Sequence, residues 1–241
     1  MTNVTRAQYD RLWTGTWGDL QRFGPVHRRQ REAVLHLIQK FEPKTVLDIG
    51  CGSGDNLAWL ARTNPSLALA GADVSLEAIG LAKQCVPNAT FWELDVQSTS
   101  LSDRFDLVMA IQVIEHLADD VSALRNMALM AKRWVLVTTM RGRMRPSERA
   151  IGHYRNYSNS ELVTKADQAG LDVIDLFGWG FPFYSPFYRT IAEWLPSGPP
   201  AGTFGAMQKT IANLIYYLYA LNVPKFGDVV TMLARPRTSS Q

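Results

Sequence analysis

The segment Val46-Leu47-Asp48-Ile49-Gly50-Cys51-Gly52-Ser53-Gly54 carries the most chemistry in this chain. An apolar strand empties into a glycine-rich turn that opens a helix. Glycine adopts backbone angles other residues resist and lets a ligand approach the main chain. The exposed amides of a helix start bind polar or anionic groups. Such turns form ligand crevices at the carboxyl ends of parallel strands. The dinucleotide fingerprint G-x-G-x-x-G/A fails here, because the sixth position counted from Gly50 is Asp55. Asp48 stands two residues before the first glycine, Asp73 closes the next apolar run, and Asp95 closes the one after. Asp73 is placed to accept hydrogen bonds from a ribose diol, and Asp95 from an exocyclic amine. Carboxylates along one sheet edge suit a nucleoside bearing a cation and repel a pyrophosphate.

The elements that must position these residues alternate along the chain. Thr45–Gly50, Leu67–Val74, Ala89–Val96, Phe105–Gln112 and Arg133–Met140 read as strands. Asp55–Thr63, Leu76–Cys85 and Asp119–Met130 read as helices between them. This rhythm predicts a parallel sheet covered on both faces. Upstream, Val26, Gln30, Ala33, Val34, Leu37, Ile38 and Phe41 form one helical stripe that Pro43 ends. Arg28, Arg29, Arg31, His27 and His36 on that helix read as a solvated face. Downstream, Ser158 and Glu161 form a capping box for a helix that stops at Gly170. Leu171–Trp179 and Asp228–Arg235 read as the last two strands.

The glycine loop resembles motif I of the class I S-adenosylmethionine-dependent methyltransferases. Asp73 and Asp95 are similar to the acids after that family's second and third strands. Phe105 to Leu117, ending Gln112-Val113-Ile114-Glu115-His116-Leu117, resembles the fourth-strand motif of its small-molecule branch. The resemblance covers about residues 40–180. It implies an α/β, Rossmann-like, seven-stranded and mainly parallel sheet ordered 3-2-1-4-5-7-6, with the last strand antiparallel and helices on both faces. It also implies S-adenosyl-L-methionine as cofactor, with S-adenosyl-L-homocysteine as product. Gly50, Cys51, Gly52 and Gly54 then lie at the methionine part, with Asp48 beneath them. Asp73 takes the ribose, and Asp95 the adenine amine between Val74 and Val96. Ile111 and Gln112 lie near the sulfonium. Tyr9, Trp13 and Trp17 resemble an N-terminal lid over the cofactor.

Methyl transfer from a sulfonium needs alignment and exclusion of water, with a base only where the acceptor must lose a proton. His116, after the fourth strand, and His153, in Gly152-His153-Tyr154-Arg155-Asn156-Tyr157-Ser158, are the candidate catalytic residues. The second segment resembles the acceptor-pocket stretch of the same branch. Two well-placed histidines favour an oxygen acceptor over nitrogen. Histidines and acids show no ligand spacing in the sequence, and no metal site is expected.

The chain is expected to form one methyltransferase domain over residues 1–241, with residues 1–24 as a cap and 180–226 as an aromatic helical insertion. Tyr154, Arg155, Trp179, Phe181, Phe183 and Tyr184 are the candidate acceptor-pocket residues. Tyr184, Phe187, Tyr188, Ile191 and Leu195 share one predicted helical face of the insertion, and Met207, Ile211, Leu214, Ile215 and Leu218 another. The insertion is a lid over an apolar acceptor, a dimer interface, or, through residues 204–223, a membrane contact. Arg141, Arg143, Arg145 and Arg149 crowd the loop after the fifth strand, where they either bind an acidic acceptor or stay solvated. The small-molecule acceptor is expected in a tailoring pathway. An N-methyltransferase, a lipid or quinone methyltransferase, and a non-catalytic cofactor-binding protein are the competing readings.

Composition bounds these readings. With 241 residues, 46% hydrophobic and 20% charged, the chain can bury a full core without staples. A net charge of +3 is too mild for a dedicated nucleic-acid binder. Two cysteines, Cys51 and Cys85, point away from a disulfide framework and toward a reducing compartment. No secretory signal or spanning run is visible, so a cytoplasmic monomer or homodimer is expected.

Overall fold

The computed structural model describes Asp10 and residues 18–192, 202–223 and 225–237. Tyr9, Trp13 and Trp17 lie outside the described residues. Two helices come first, α1 (Gly18–Phe23) and α2 (Pro25–Phe41). Pro25 starts α2 where its missing N–H costs nothing. The alternating part follows: β1 (Thr45–Ile49), α3 (Asp55–Thr63), β2 (Ala68–Asp73), α4 (Leu76–Cys85), β3 (Thr90–Glu93), β4 (Phe105–Ile111), α5 (Asp120–Met130) and β5 (Ala131–Met140). Then come α6 (Pro146–Ala150), α7 (Asn159–Gln168), β6 (Leu171–Trp179), α8 (Arg189–Ala192), α9 (Ala206–Leu218) and β7 (Val229–Pro236).

The sheet has seven strands in the order β3-β2-β1-β4-β5-β7-β6. Strands β1 to β5 pair in parallel, and β7 runs antiparallel to both its neighbours. This is the expected topology. Strand β3 is shorter than predicted, four residues where eight were expected. One face is covered by α2, α3 and α4 through Val34, Ile38, Leu57, Leu60 and Ala82, packed on Val46, Met109 and Leu136. The other is covered by α5 and α7 through Leu124, Met127, Leu162 and Ala166, packed on Leu47, Val108 and Val137. Asp106 pins the lower rim: its Oδ2 accepts from the Lys44 and Thr45 amides at 2.8 and 3.1 Å.

The α2 surface departs from its expected solvation. Arg31 is 6% exposed and donates to the Gln21 and Arg22 carbonyls at 2.9 and 3.0 Å. Those carbonyls belong to the last turn of α1, where a cation is favoured. Arg28 and Arg29 stack on Tyr216 of α9 at 3.7 and 4.0 Å from its ring centre. Arg29 also donates to the Tyr216 carbonyl at 2.8 Å. His36 is exposed, as expected.

The insertion also turns over a predicted face. Residues 183–188 do not form a regular helix: Ser185 is extended (φ −130°, ψ 122°), and Pro186 follows it. On α9, Met207 is 74% exposed and Leu214 65%, while Ala212 is buried and Tyr216 packs on α2. The Met207–Leu218 stripe therefore faces outward. No helix of the described residues is long and apolar enough to cross a membrane.

Candidate active site

A cavity of about 430 Å³ opens at the carboxyl ends of β1, β2, β3 and β4. Its walls hold Gly50, Cys51, Asp73, Val74, Asp95, Val96, Ile111, Gln112, His116, His153 and Tyr154. Residues proposed from three separate motifs thus meet in one space. Leu20 and Gln21 of α1, and His27 and Gln30 of α2, close the side nearest the chain start.

The glycine loop is shaped by close packing. Gly50 has φ +65°, and a Cβ there would sit 2.6 Å from Val113 Cγ2. Gly54 has φ +79° and lies against Ala82, so that α3 and α4 approach closely. Gly52 donates its amide to Asp73 Oδ2 at 2.9 Å. Of the three glycines only Gly50 lines the cavity; Gly52 and Gly54 set the turn's shape.

Asp73 is buried, and its Oδ1 accepts from the Ser75 amide at 2.9 Å. Burial raises its carboxyl, while amide hydrogen bonds from Ser75, Gly52 and Val74 pull it back down. Asp95 is exposed and accepts from the Gln97 amide at 3.0 Å and from Ser98 Oγ at 2.8 Å. Both acids tie down their own loops and still face the cavity.

Asp48 is buried beneath the loop and accepts no hydrogen bond. Burial pushes its carboxyl up to about 8; Asn56 opposes the rise and Asp73 adds to it. Gln30 is 4% exposed, with both amide atoms unpartnered at the cavity wall, and Gln112 Nε2 is likewise buried without a partner. Gln112 also sits at φ +57°, a conformation uncommon outside glycine. These orphaned donors and acceptors fit a ligand that brings its own ammonium, carboxylate and hydroxyl groups. The flanking Val74, Leu94 and Val96 fit an apolar ring.

The opposite end carries histidine. The His116 and His153 rings meet edge to face with centroids 4.6 Å apart. Burial first, then His153, pushes His116 down to about 3, and burial lowers His153 as well. His27 is pushed to about 4 by burial and by Arg31, and it faces the cavity instead of bulk solvent. Glu115 is fully buried; burial drives its carboxyl up to about 8 against the Thr139 hydrogen bond.

These shifts predict a pH profile. Asp48 and Glu115 bind protons more tightly folded than unfolded, so stability falls as pH rises from about 4 to about 8. The depressed histidines 27, 116 and 153 act in the reverse sense below about 6.5. The opposing trends offset each other up to pH 6.5, and above it the raised carboxyls act alone. The melting temperature is expected to drop between pH 6.5 and 8, and Asp48→Asn to flatten part of that drop. A variant limb as steep as wild type would count against Asp48.

Several predicted acceptor residues lie elsewhere. Arg155 donates to Asp120 Oδ2 at 2.5 Å and to the Ala118 carbonyl at 3.0 Å, anchoring the start of α5. Trp179 and Tyr184 stack with centroids 5.8 Å apart and pack edge-on against the buried Tyr219. Phe181 borders a separate depression of about 550 Å³ with Arg141 and Phe226. Phe183 donates its amide to Asn222 Oδ1 at 2.9 Å. None of these five lines the cavity, because the insertion turns toward α2 and packs on itself. Only Tyr154 of that group does. Gln30 joins the site without being a sequence candidate; the one signal for it is a polar side chain inside an apolar helical stripe.

Comparison with known proteins agrees with this geometry. A family model described as a methyltransferase domain matches residues 26–176. A trans-aconitate 2-methyltransferase of Azoarcus sp. (strain BH72) is 29% identical over 45% of this chain and 44% of its own length. A ubiquinone biosynthesis O-methyltransferase of Bordetella avium (strain 197N) is 26% identical over 70% of this chain and 82% of its own. The chain spans about half the length of the first curated relatives it matches. The solved N-methyltransferase NodS of Bradyrhizobium japonicum WM9 superposes with a TM-score of 0.64 at 17% identity, over 98% of this chain and 100% of that one. The domain match, which takes in the glycine loop and both acids, and the sheet order it shares together show that this chain belongs to the class I S-adenosylmethionine-dependent methyltransferases.

Proposed function

We propose that the chain methylates an oxygen of a small organic acceptor. The observation that carries this reading is the polarity of one cavity, with acids and an apolar slot toward β2 and β3 and two uncharged imidazoles toward β4 and β5. Bound S-adenosylmethionine supplies a methyl group already activated on sulfur. Asp73, Asp95, Val74 and Val96 hold the nucleoside end, and Gly50, Cys51, Gln30, Gln112 and Asp48 the amino-acid end. His116 and His153 are neutral at neutral pH, as groups must be to handle the proton an acceptor hydroxyl loses. The oxygen assignment draws support from the relative named as an O-methyltransferase.

His153→Ala is expected to lower turnover about 100-fold or more, with S-adenosylhomocysteine affinity within threefold of wild type by calorimetry. His116→Ala is expected to behave alike. Unchanged turnover in both variants would remove the histidines from the reaction. The reading itself is tested with methyl-labelled cofactor against pooled phenols, carboxylic acids and amines. Label on an oxygen supports it. Label on amines alone overturns the oxygen assignment, and absence of cofactor binding overturns the whole.

A further inference from the structure

Three side chains converge at the histidine end of the cavity, His116 and His153 on its wall and Glu115 buried beside them. One ligand atom each of Glu115, His116 and His153 lies within 4.8 Å of the other two. Each group also has a separate partner. Thr139 Oγ1 donates to Glu115 Oε2 at 2.8 Å. His153 Nδ1 is 3.4 Å from Asn156 Oδ1, and Asn156 Nδ2 is itself fixed by Glu148 Oε2 at 2.9 Å. His116 has a backbone partner at Gly152. This is how metal-binding histidines and carboxylates are oriented: one atom is fastened by an outer partner so that the other points at the ion.

A second observation points to a ligand. Glu115 has no exposed surface, yet its Oε1, the oxygen not fastened by Thr139, accepts no hydrogen bond. A carboxyl oxygen buried without a partner needs a reason, and a cation on that side supplies one.

We propose that Glu115, His116 and His153 form a site for a divalent transition-metal ion whose open positions receive an oxygen donor of the acceptor. Two imidazoles with one carboxylate suit zinc, iron, cobalt or manganese, whereas magnesium favours oxygen ligands throughout. A hydroxyl coordinated there loses its proton more readily and releases it to solvent, so the histidines act through the ion. The acceptor class becomes a hydroxylated molecule able to ligate, such as a phenol, enol or hydroxy acid. The role of the ion rests on the methyl-transfer reading; its binding does not. Sequence spacing gave no sign of this site, because Glu115 and His116 sit on one short turn and His153 arrives on a separate loop.

The test uses the full chain, stripped with chelator and titrated with Co²⁺, followed by visible d–d absorption and by metal counting. One ion per chain, displaced by Zn²⁺, is expected. Glu115→Gln and His153→Ala should each weaken binding tenfold or more, and Asn156→Ala about tenfold through loss of ring orientation. His36→Ala, at an exposed histidine on α2, should leave the affinity within twofold. No saturable binding, binding that survives the Glu115 and His153 changes, or binding lost with His36 would overturn the proposal. S-adenosylhomocysteine calorimetry on the same samples reports that the variants are folded and separates the two readings. Metal binding without cofactor binding sinks methyl transfer and leaves the ion site standing; cofactor binding without metal does the reverse.

Discussion

Replacing Asp73 by alanine is expected to lower S-adenosylhomocysteine affinity about 100-fold and to loosen the cavity wall. Its two oxygens hold the Gly52 and Ser75 amides, both at 2.9 Å. Ser75 is in turn the N-cap of α4, accepting from the Ala78 amide at 3.1 Å, and it also bonds Asp10. One carboxylate thus joins the glycine turn, the end of β2 and the start of α4. The alanine leaves two amides without acceptors, at about 1–3 kcal/mol each. Together that is about 2–6 kcal/mol, and since each 1.4 kcal/mol is about tenfold in affinity, a loss of two orders of magnitude lies within the range. Asp73→Asn retains one acceptor oxygen and should fall between wild type and alanine. Calorimetry decides, and an alanine variant that binds within threefold of wild type would refute this role.

The second large effect is on stability. Arg189 of α8 is 4% exposed and pairs with both Glu148 and Asp228. Glu148 also accepts from the Arg145 amide at 2.8 Å and from Asn156 at 2.9 Å, and Ser185 donates to Asp228. Arg145 returns a bond to the Arg189 carbonyl at 2.9 Å. Removing one member of such a buried set strands its partner's charge, at about 3–5 kcal/mol. Arg189→Met should therefore destabilise the protein by about that amount in urea denaturation. The double variant Arg189→Met, Glu148→Gln should recover part of the loss, because the stranded charge goes too. A single variant within 1 kcal/mol of wild type would show that the network is solvated. Asn156 links Glu148 to His153, so the variant should also lose turnover.

The sheet was legible because its signals are local. Runs such as Val46–Ile49, glycine turns and the Ser158–Glu161 capping box mark β1, α3, α4, α7 and β6 nearly to the residue. The acids at strand ends were legible for the same reason, since parallel strands bring their carboxyl ends to one edge. Periodicity does not say which side of an amphipathic helix meets protein, and α9 presents Met207 and Leu214 to the outside. A cation on a helix reads as solvated until the acceptors are known; for Arg31 they are carbonyls ten and nine residues back. The meeting of Glu115 with His153 depends on how the loop after β5 folds back, shown by the Tyr154 amide donating to the Glu115 carbonyl at 2.8 Å. No spacing rule encodes that.

The β6–β7 ladder carries a consequence for how this protein can diverge. Trp179 and Val229 stand opposite each other in the antiparallel register, so the chain departs from the sheet and rejoins it at adjoining positions. Antiparallel partners lie about 5 Å apart. Stretches between those two residues that carry neither the Arg189–Asp228 pair nor the Tyr216 contact with α2 can change in length without shifting any strand beneath the donor pocket. Surface character can thus be rewritten there, while the apparatus at the other end of the sheet stays fixed.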